Sequence, residues 1–123
     1  MSTNETPEPK LVIPDNAVVV IVGFSKCPNF IRAVETFNLL EAAKPGALRG
    51  AYWQSDRDAY HAIRPSYLAQ LNKEADSHKT SPLVFLADPQ TLQPQVYVGG
   101  ASDFCTIVKE QYGVEPAVLV KHH

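Results

Sequence analysis

The stretch AVVVIVGFSKCPNFIRAVETF, residues 17–37, decides the fold because it joins an expected strand directly to an expected helix. Its first part, read as NAVVVIVGF over residues 16–24, is short, apolar and β-branched, which is typical of a strand covered on both faces of a sheet. Apolar residues then recur at helical spacing after Pro28, a residue type that suits the first turn of a helix. Cys27, one of only two cysteines in the chain, stands at the junction.

Composition limits the classes of protein to consider. A chain of 123 residues with 45% hydrophobic and 20% charged residues is expected to form one soluble, globular domain. The net charge of −2 gives no support for binding nucleic acid or an anionic membrane, and no apolar run reaches the roughly 18 residues that a membrane span needs. The polar start, MSTNETPEPK, resembles no signal or transit peptide. Two widely spaced cysteines do not form a disulfide framework, so we expect a reducing, cytoplasmic location.

The rest of the chain continues the alternation of strands and helices. The patterns predict further strands over residues 47–54, 81–87 and 94–98, and a last helix over residues 101–113 that Ser102 or Asp103 would cap. The order strand, helix, strand, helix, strand, strand, helix predicts an α/β fold with a central mixed sheet of about four strands flanked by helices.

Three segments follow from the same patterns. The folded domain is expected over residues 16–113, after a disordered N-terminal tail at 1–15 and before a C-terminal tail at 114–123. Between the second and third strands, Pro65 is expected to open a helix of its own. Residues 74–79, EADSHK, are expected to form a solvated loop.

Cys27 is the main candidate for chemistry. A cysteine just before a helix faces outward-pointing backbone N–H groups and the positive end of the helix dipole, and both favour the nucleophilic thiolate. The neighbouring Lys26 adds positive charge. The alternative is an inert cysteine that acts as a small hydrophobic side chain, and this role is expected for Cys105 inside the last helix. His61 and His78 have no cysteines at metal-ligand spacing, so no metal site is predicted.

Two parts of the chain together resemble the glutaredoxin family of thioredoxin-fold proteins. The first is FSKCPNFIRAVETF at residues 24–37, and the second is KTSPLVFLA at 79–87 with VYVGGASDF at 96–104. Glutaredoxins carry Cys-Pro-X-Cys, or a variant with one cysteine, at the start of a helix. They bind glutathione at a Thr-Val-Pro segment and at a Gly-Gly-X-X-Asp helix start. The resemblance covers about residues 16–113 and implies a thioredoxin-like fold.

The resemblance assigns a role to individual residues. It implies that Cys27 is the nucleophile, that Phe30 replaces the resolving cysteine, and that the Ser81–Pro82 bond is cis. It implies a glutathione site formed by Lys26, Thr80, Ser81, Pro82, Gly99, Gly100, Ser102 and Asp103. In the family a lysine meets the glycyl carboxylate, and the Gly-Gly-X-X-Asp stretch holds the γ-glutamyl end. Here Lys26 and Cys27 are adjacent, whereas the family places two residues between them; aligned without a gap, Asn29 would take the cysteine position.

The implied activity is that of a monothiol, glutathione-dependent thiol–disulfide oxidoreductase that serves redox homeostasis. Its co-substrate would be glutathione, and its substrates would be glutathionylated or disulfide-bearing proteins. A [2Fe–2S] cluster is not expected, because relatives that bridge one carry Gly-Phe-Ser after the cysteine and this chain has Pro28-Asn29-Phe30. The shortened loop leaves a second possibility open: a catalytically silent glutaredoxin-fold module that binds a partner protein or glutathione.

Overall fold

A computed structural model describes residues 11–14 and 17–118. The strands are β1 (Val18–Phe24), β2 (Arg49–Ser55), β3 (Leu83–Ala87) and β4 (Pro94–Gly99). The helices are α1 (Pro28–Ala43), α2 (Arg57–Gln70) and α3 (Ala101–Tyr112), and a short 3₁₀ helix spans Ala75–Ser77.

The four strands form one mixed sheet in the order β2-β1-β3-β4. β1 pairs in parallel with β2 and antiparallel with β3, and β4 pairs antiparallel with β3. The central position of β1 explains its continuous apolar sequence, because side chains on both of its faces are covered. The α/β class and the four-stranded mixed sheet are as predicted, and they agree with a thioredoxin-like fold.

Alternation along β1 divides the core into two clusters, one on each face of the sheet. Val19 and Ile21 belong to the cluster that contains Phe30 of α1 and Phe104 of α3. Val18, Val20 and Val22 belong to the second cluster, which α2 covers with Tyr60 and Leu68. α1 and α3 therefore lie against one face of the sheet, and α2 lies against the other.

The prediction that Pro65 opens a new helix is wrong. α2 runs without a break from Arg57 to Gln70, with Pro65 inside it. The helix begins where Asp56 accepts a hydrogen bond from the N–H of Ala59 at 2.7 Å. Tyr60 and Leu68, one on each side of Pro65 in this helix, are both fully buried. Their burial outweighs the hydrogen bond that a proline removes from a helix.

The segments next to the predicted domain also contact it. Residues 1–10 and 15, most of the predicted N-terminal tail, lie outside the described residues, but Ile13 is 2% exposed and its backbone N–H and C=O both bond to the Gln111 side chain. At the other end, Ala117 donates its N–H to Thr36 Oγ1 and accepts from Arg32 Nε on α1. Within the described part of the chain, no helix is long and apolar enough to cross a membrane.

Candidate functional site

Cys27 occupies the N-cap position of α1, directly after the turn that ends β1. Pro28 is the first residue of the helix, and Asn29 is an exposed residue within its first turn. The helix start therefore carries Cys27, and Asn29 follows within the first turn. The cysteine side chain is only 6% exposed, and its thiol donates a hydrogen bond to the backbone carbonyl of Ser81 at 3.4 Å.

The segment that contains Ser81 packs tightly against the end of β1. The predicted cis bond between Ser81 and Pro82 is confirmed. Ser81 Oγ accepts a hydrogen bond from the N–H of Phe24 at 3.3 Å. A Cβ atom on Gly23 would lie 2.6 Å from Ser81 Oγ and 2.6 Å from the ring of Phe30. Gly23 is therefore required for this close approach, because real Cβ atoms do not tolerate contacts of that length.

The turn that opens α3 depends on Gly99 and Asp103. α3 begins at Ala101 with Gly100 as its N-cap, so the prediction of Ser102 or Asp103 at that position is wrong. Asp103 instead reaches back from the first turn, and its Oδ2 accepts the N–H of Gly100 at 3.0 Å. Gly99 has a φ of +132°, and a Cβ there would overlap the Asp103 carboxylate. Backbone conformation and space thus both require glycine at residue 99.

These two segments meet in one cavity, which we call the groove. It has a volume of about 360 Å³ and is lined by Asn29, His78, Thr80, Ser81, Gly100, Ala101, Ser102 and Asp103. The fold therefore brings together most of the residues predicted for glutathione. Pro82 and Gly99 are adjacent in sequence to lining residues, and Ser81 connects the groove to Cys27 through the 3.4 Å hydrogen bond.

Lys26 lines a different cavity. This second cavity, also of about 360 Å³, lies at the carboxyl ends of the parallel strands β1 and β2 and is lined by Phe24, Ser25, Lys26, Ser55, Asp56 and Arg57. Lys26 is exposed, and the Arg57 guanidinium lies 5.9 Å from the centre of the Phe24 ring. Along the chain, Cys27 stands between Lys26 of this cavity and Asn29 of the groove.

His78 is a groove residue that the sequence patterns missed. The segment 74–79 was predicted as a solvated loop, yet His78 is only 8% exposed. Its Nε2 lies 2.9 Å from the carbonyl oxygen of Pro82, which can only accept, so Nε2 carries the proton. In the neutral ring, Nδ1 then accepts from the Tyr97 hydroxyl at 2.7 Å. In the sequence, only the position of His78 two residues before Thr80 indicates a place in the groove. The polar residues around it predict exposure to solvent instead.

Side chains of α2 donate hydrogen bonds to the backbone of residues 75–80, the segment that contains His78. The Tyr60 hydroxyl donates to the carbonyl of Thr80 at 2.5 Å, and Arg64 Nη1 donates to the carbonyls of Ala75 and His78 at 2.6 and 2.7 Å. Burial raises the pKa of Tyr60 above its ordinary value, so its hydroxyl stays protonated and able to donate. Tyr60 and Arg64, on the face of the sheet opposite α1, thereby fix the segment that precedes Ser81.

Cys105 lies apart from these contacts, in the core between α1 and α3. It is 2% exposed, and its Sγ lies 3.3 Å from Thr36 Oγ1. Its predicted place in the core is confirmed. Among the described residues, no group of three or more His, Cys, Asp or Glu side chains could hold a metal ion.

Comparison with known proteins identifies no family for this chain. The chain matches no protein-family model, and no curated protein matches it in sequence. Inferences about function therefore depend on the site itself.

Proposed function

We propose that this protein is a glutathione-dependent thiol–disulfide oxidoreductase of the one-cysteine type, similar to glutaredoxins. One observation carries the proposal: the cysteine at the start of α1 contacts Ser81, and Ser81 lines a groove that ends at the N-terminus of α3. A nucleophile and a binding site for an anionic, amide-containing ligand are thus connected through a single residue. A peptide thiol such as glutathione has the chemistry to use both.

The groove offers complementary partners for the γ-glutamyl end of glutathione. The first turn of α3 presents backbone N–H groups and the positive end of the helix dipole, which suit an α-carboxylate. The Ser102 hydroxyl lies on the same turn. Asp103 uses one oxygen for the N–H of Gly100, and a carboxylate has further acceptor sites for an α-ammonium group.

The glycyl end would lie towards the second cavity. Beside the Asp56 carboxylate, Lys26 and Arg57 give that cavity two cationic side chains, which suit a terminal carboxylate. The Ser81 backbone, between the two ends, would pair with the cysteinyl part of the ligand. In this arrangement glutathione lies alongside Cys27, and the sulfur of glutathione faces the start of α1.

The reaction exchanges disulfides in two balanced steps. The Cys27 thiolate attacks the glutathione sulfur of a protein–glutathione mixed disulfide. A new sulfur–sulfur bond forms, the old one breaks, and the protein thiolate leaves and takes up a proton from water. The thiolate of a second glutathione then attacks the glutathionyl sulfur on Cys27, which releases glutathione disulfide and restores the Cys27 thiolate. Glutathione supplies both electrons, and cytoplasmic glutathionylated proteins would be the substrates.

One observation favours a second function, a silent module that binds a partner protein or glutathione without turnover. The Cys27 side chain is 6% exposed and belongs to the core cluster shared by α1 and α3. A sulfur so placed must move before it can attack a disulfide. Such a module would use the groove for binding and leave Cys27 as a core residue.

Turnover of a glutathionylated peptide with excess glutathione separates these functions. We expect the wild type to reduce the peptide, Cys27→Ser to be inactive, and Cys105→Ser, the matched control, to retain most of the activity. Alkylation at mildly acidic pH tests the same residue directly, because a thiol with an ordinary pKa of about 8.5 reacts slowly there. A wild type without turnover, whose Cys27 resists alkylation, would refute the oxidoreductase and favour the silent module.

A further inference from the structure

The ring of His78 lies between the two walls of the groove. One wall is formed by Thr80 and Ser81, which Pro82 follows, and the other by residues 100–103. His78 Nε2 donates to the carbonyl of Pro82 at 2.9 Å, and its Cε1 lies 3.7 Å from where a Cβ on Gly100 would be. The same Cβ position is 3.8 Å from the Pro82 carbonyl oxygen. The imidazole ring therefore bonds to Pro82 on one side and lies next to Gly100 on the other.

Neighbouring elements hold this ring in place. Nδ1 bonds to the hydroxyl of Tyr97, which belongs to β4, the strand that leads into the Gly99–Gly100 turn. The backbone carbonyl of His78 accepts from Arg64 on α2. Because both ring nitrogens bond to groups of the protein, His78 is placed to orient the walls rather than to bind a ligand through its nitrogens.

We propose that His78 is a positioning residue that sets the separation of the two walls and thereby the affinity of the groove for glutathione. The proposal rests on the proposed function, because it names a determinant of the same site. A shorter or longer contact at Pro82 would shift the Ser81 backbone relative to the α3 N-terminus. The distance between the Ser81 backbone and the N-terminus of α3 would then no longer match the length of glutathione.

Two amide substitutions separate this role from simple core filling. In His78→Gln the side-chain amide nitrogen takes the place of Nε2, so a donor to the Pro82 carbonyl remains. In His78→Asn the amide takes the place of Nδ1, so only the contact with Tyr97 remains. Both variants introduce a smaller polar group at the same buried position, and a purely structural residue would respond similarly to both changes.

We expect His78→Asn to raise the dissociation constant for glutathione about 2- to 12-fold, the factor that one neutral hydrogen bond is worth. KM for glutathione should rise in parallel while kcat changes little, because the altered contact affects binding rather than the reacting sulfur. His78→Gln should stay close to the wild type in both constants. Isothermal titration with glutathione and steady-state kinetics provide the readouts.

The outcomes are distinct. Equal affinities in the wild type and both variants, or equal losses in both variants, would overturn the role of the Pro82 contact while leaving the proposed function intact. A wild type that binds no glutathione would refute the proposed function, and the role of His78 would fall with it. If His78→Asn does not fold, His78→Met decides, because its side chain is similar in length to that of glutamine but has no donor for the Pro82 carbonyl. A higher dissociation constant in His78→Met than in His78→Gln supports the proposal, and equal constants overturn it.

Discussion

Replacing Asp103 tests whether this residue binds a ligand or only caps α3. Its Oδ2 accepts the N–H of Gly100 at 3.0 Å, so it has a structural role that any substitution must take into account. Asp103→Ala removes both the acceptor and the charge. Asp103→Asn keeps an amide oxygen as acceptor and removes only the charge. The pair therefore separates the cap from the expected contact with the α-ammonium group of glutathione.

The two effects have different expected sizes. Loss of a capping acceptor costs about 1 kcal/mol, which for a domain of this size lowers the melting temperature by about 3–6 °C. A charge-assisted hydrogen bond is worth about 1.5–3 kcal/mol, so its loss weakens glutathione binding roughly 10- to 150-fold. We expect Asp103→Ala to show both effects. Asp103→Asn should show the loss of affinity with a smaller fall in stability, because only the interaction of the charge with the helix dipole is lost.

Thermal unfolding and glutathione titration on the same protein samples measure the two effects. Asp88→Asn is the control, because Asp88 caps the loop after β3 and lies outside the groove, so removing its charge should leave the affinity unchanged. A lower melting temperature in Asp103→Ala with wild-type affinity in both Asp103 variants would refute the ligand role. Asp103 would then be a helix cap only.

Four further substitutions test the packing and the protonation of residues around the site. Gly23→Ala should lower the free energy of unfolding by about 1–3 kcal/mol, because its Cβ has no room beside two neighbouring side chains; an unchanged denaturation midpoint would contradict that packing. Gly99→Ala should cost about 1–3 kcal/mol and Gly100→Ala less than about 1 kcal/mol, since only residue 99 has a positive φ; equal losses on chemical denaturation would contradict the turn geometry. Burial raises the pKa of Tyr60 in the folded protein, so the free energy of unfolding should fall above about pH 10, where this residue ionises first in the unfolded chain. Tyr60→Phe should make that fall smaller. If the free energy of unfolding changes equally with pH in both proteins, this contribution is excluded.

The sheet and its helices could be predicted because their signals are local. β1 is apolar over its whole length, since it is central and covered on both faces, and that pattern is readable without knowing its neighbours. The start of α1 at Pro28 and the end of α3 at Gly113 follow from residues that suit those positions on their own. The predicted order of elements followed from these signals.

The parts that were missed depend on contacts between distant residues. Pro65 reads locally as a helix start, but its place inside α2 follows from burying Tyr60 and Leu68 against the sheet. His78 reads as part of a polar loop, but its burial follows from bonds to Tyr97 and to the Pro82 carbonyl. Hydrophobic periodicity in the sequence does not reveal such contacts, because only the folded chain brings hydrogen-bond partners to a single buried polar side chain.

The two functions open to Cys27 differ in whether its sulfur can reach a disulfide. Its thiol proton is directed to the Ser81 carbonyl at 3.4 Å, and the side chain packs in the same core cluster as Phe30 and Ala101. A thiolate has no proton to donate and would face the carbonyl oxygen as a second acceptor, so ionisation removes the contact that holds the sulfur inward. Rotation of this side chain out of the core cluster would then expose the sulfur. Turnover and silent binding therefore require the same groove, and they diverge at the Cys27–Ser81 hydrogen bond.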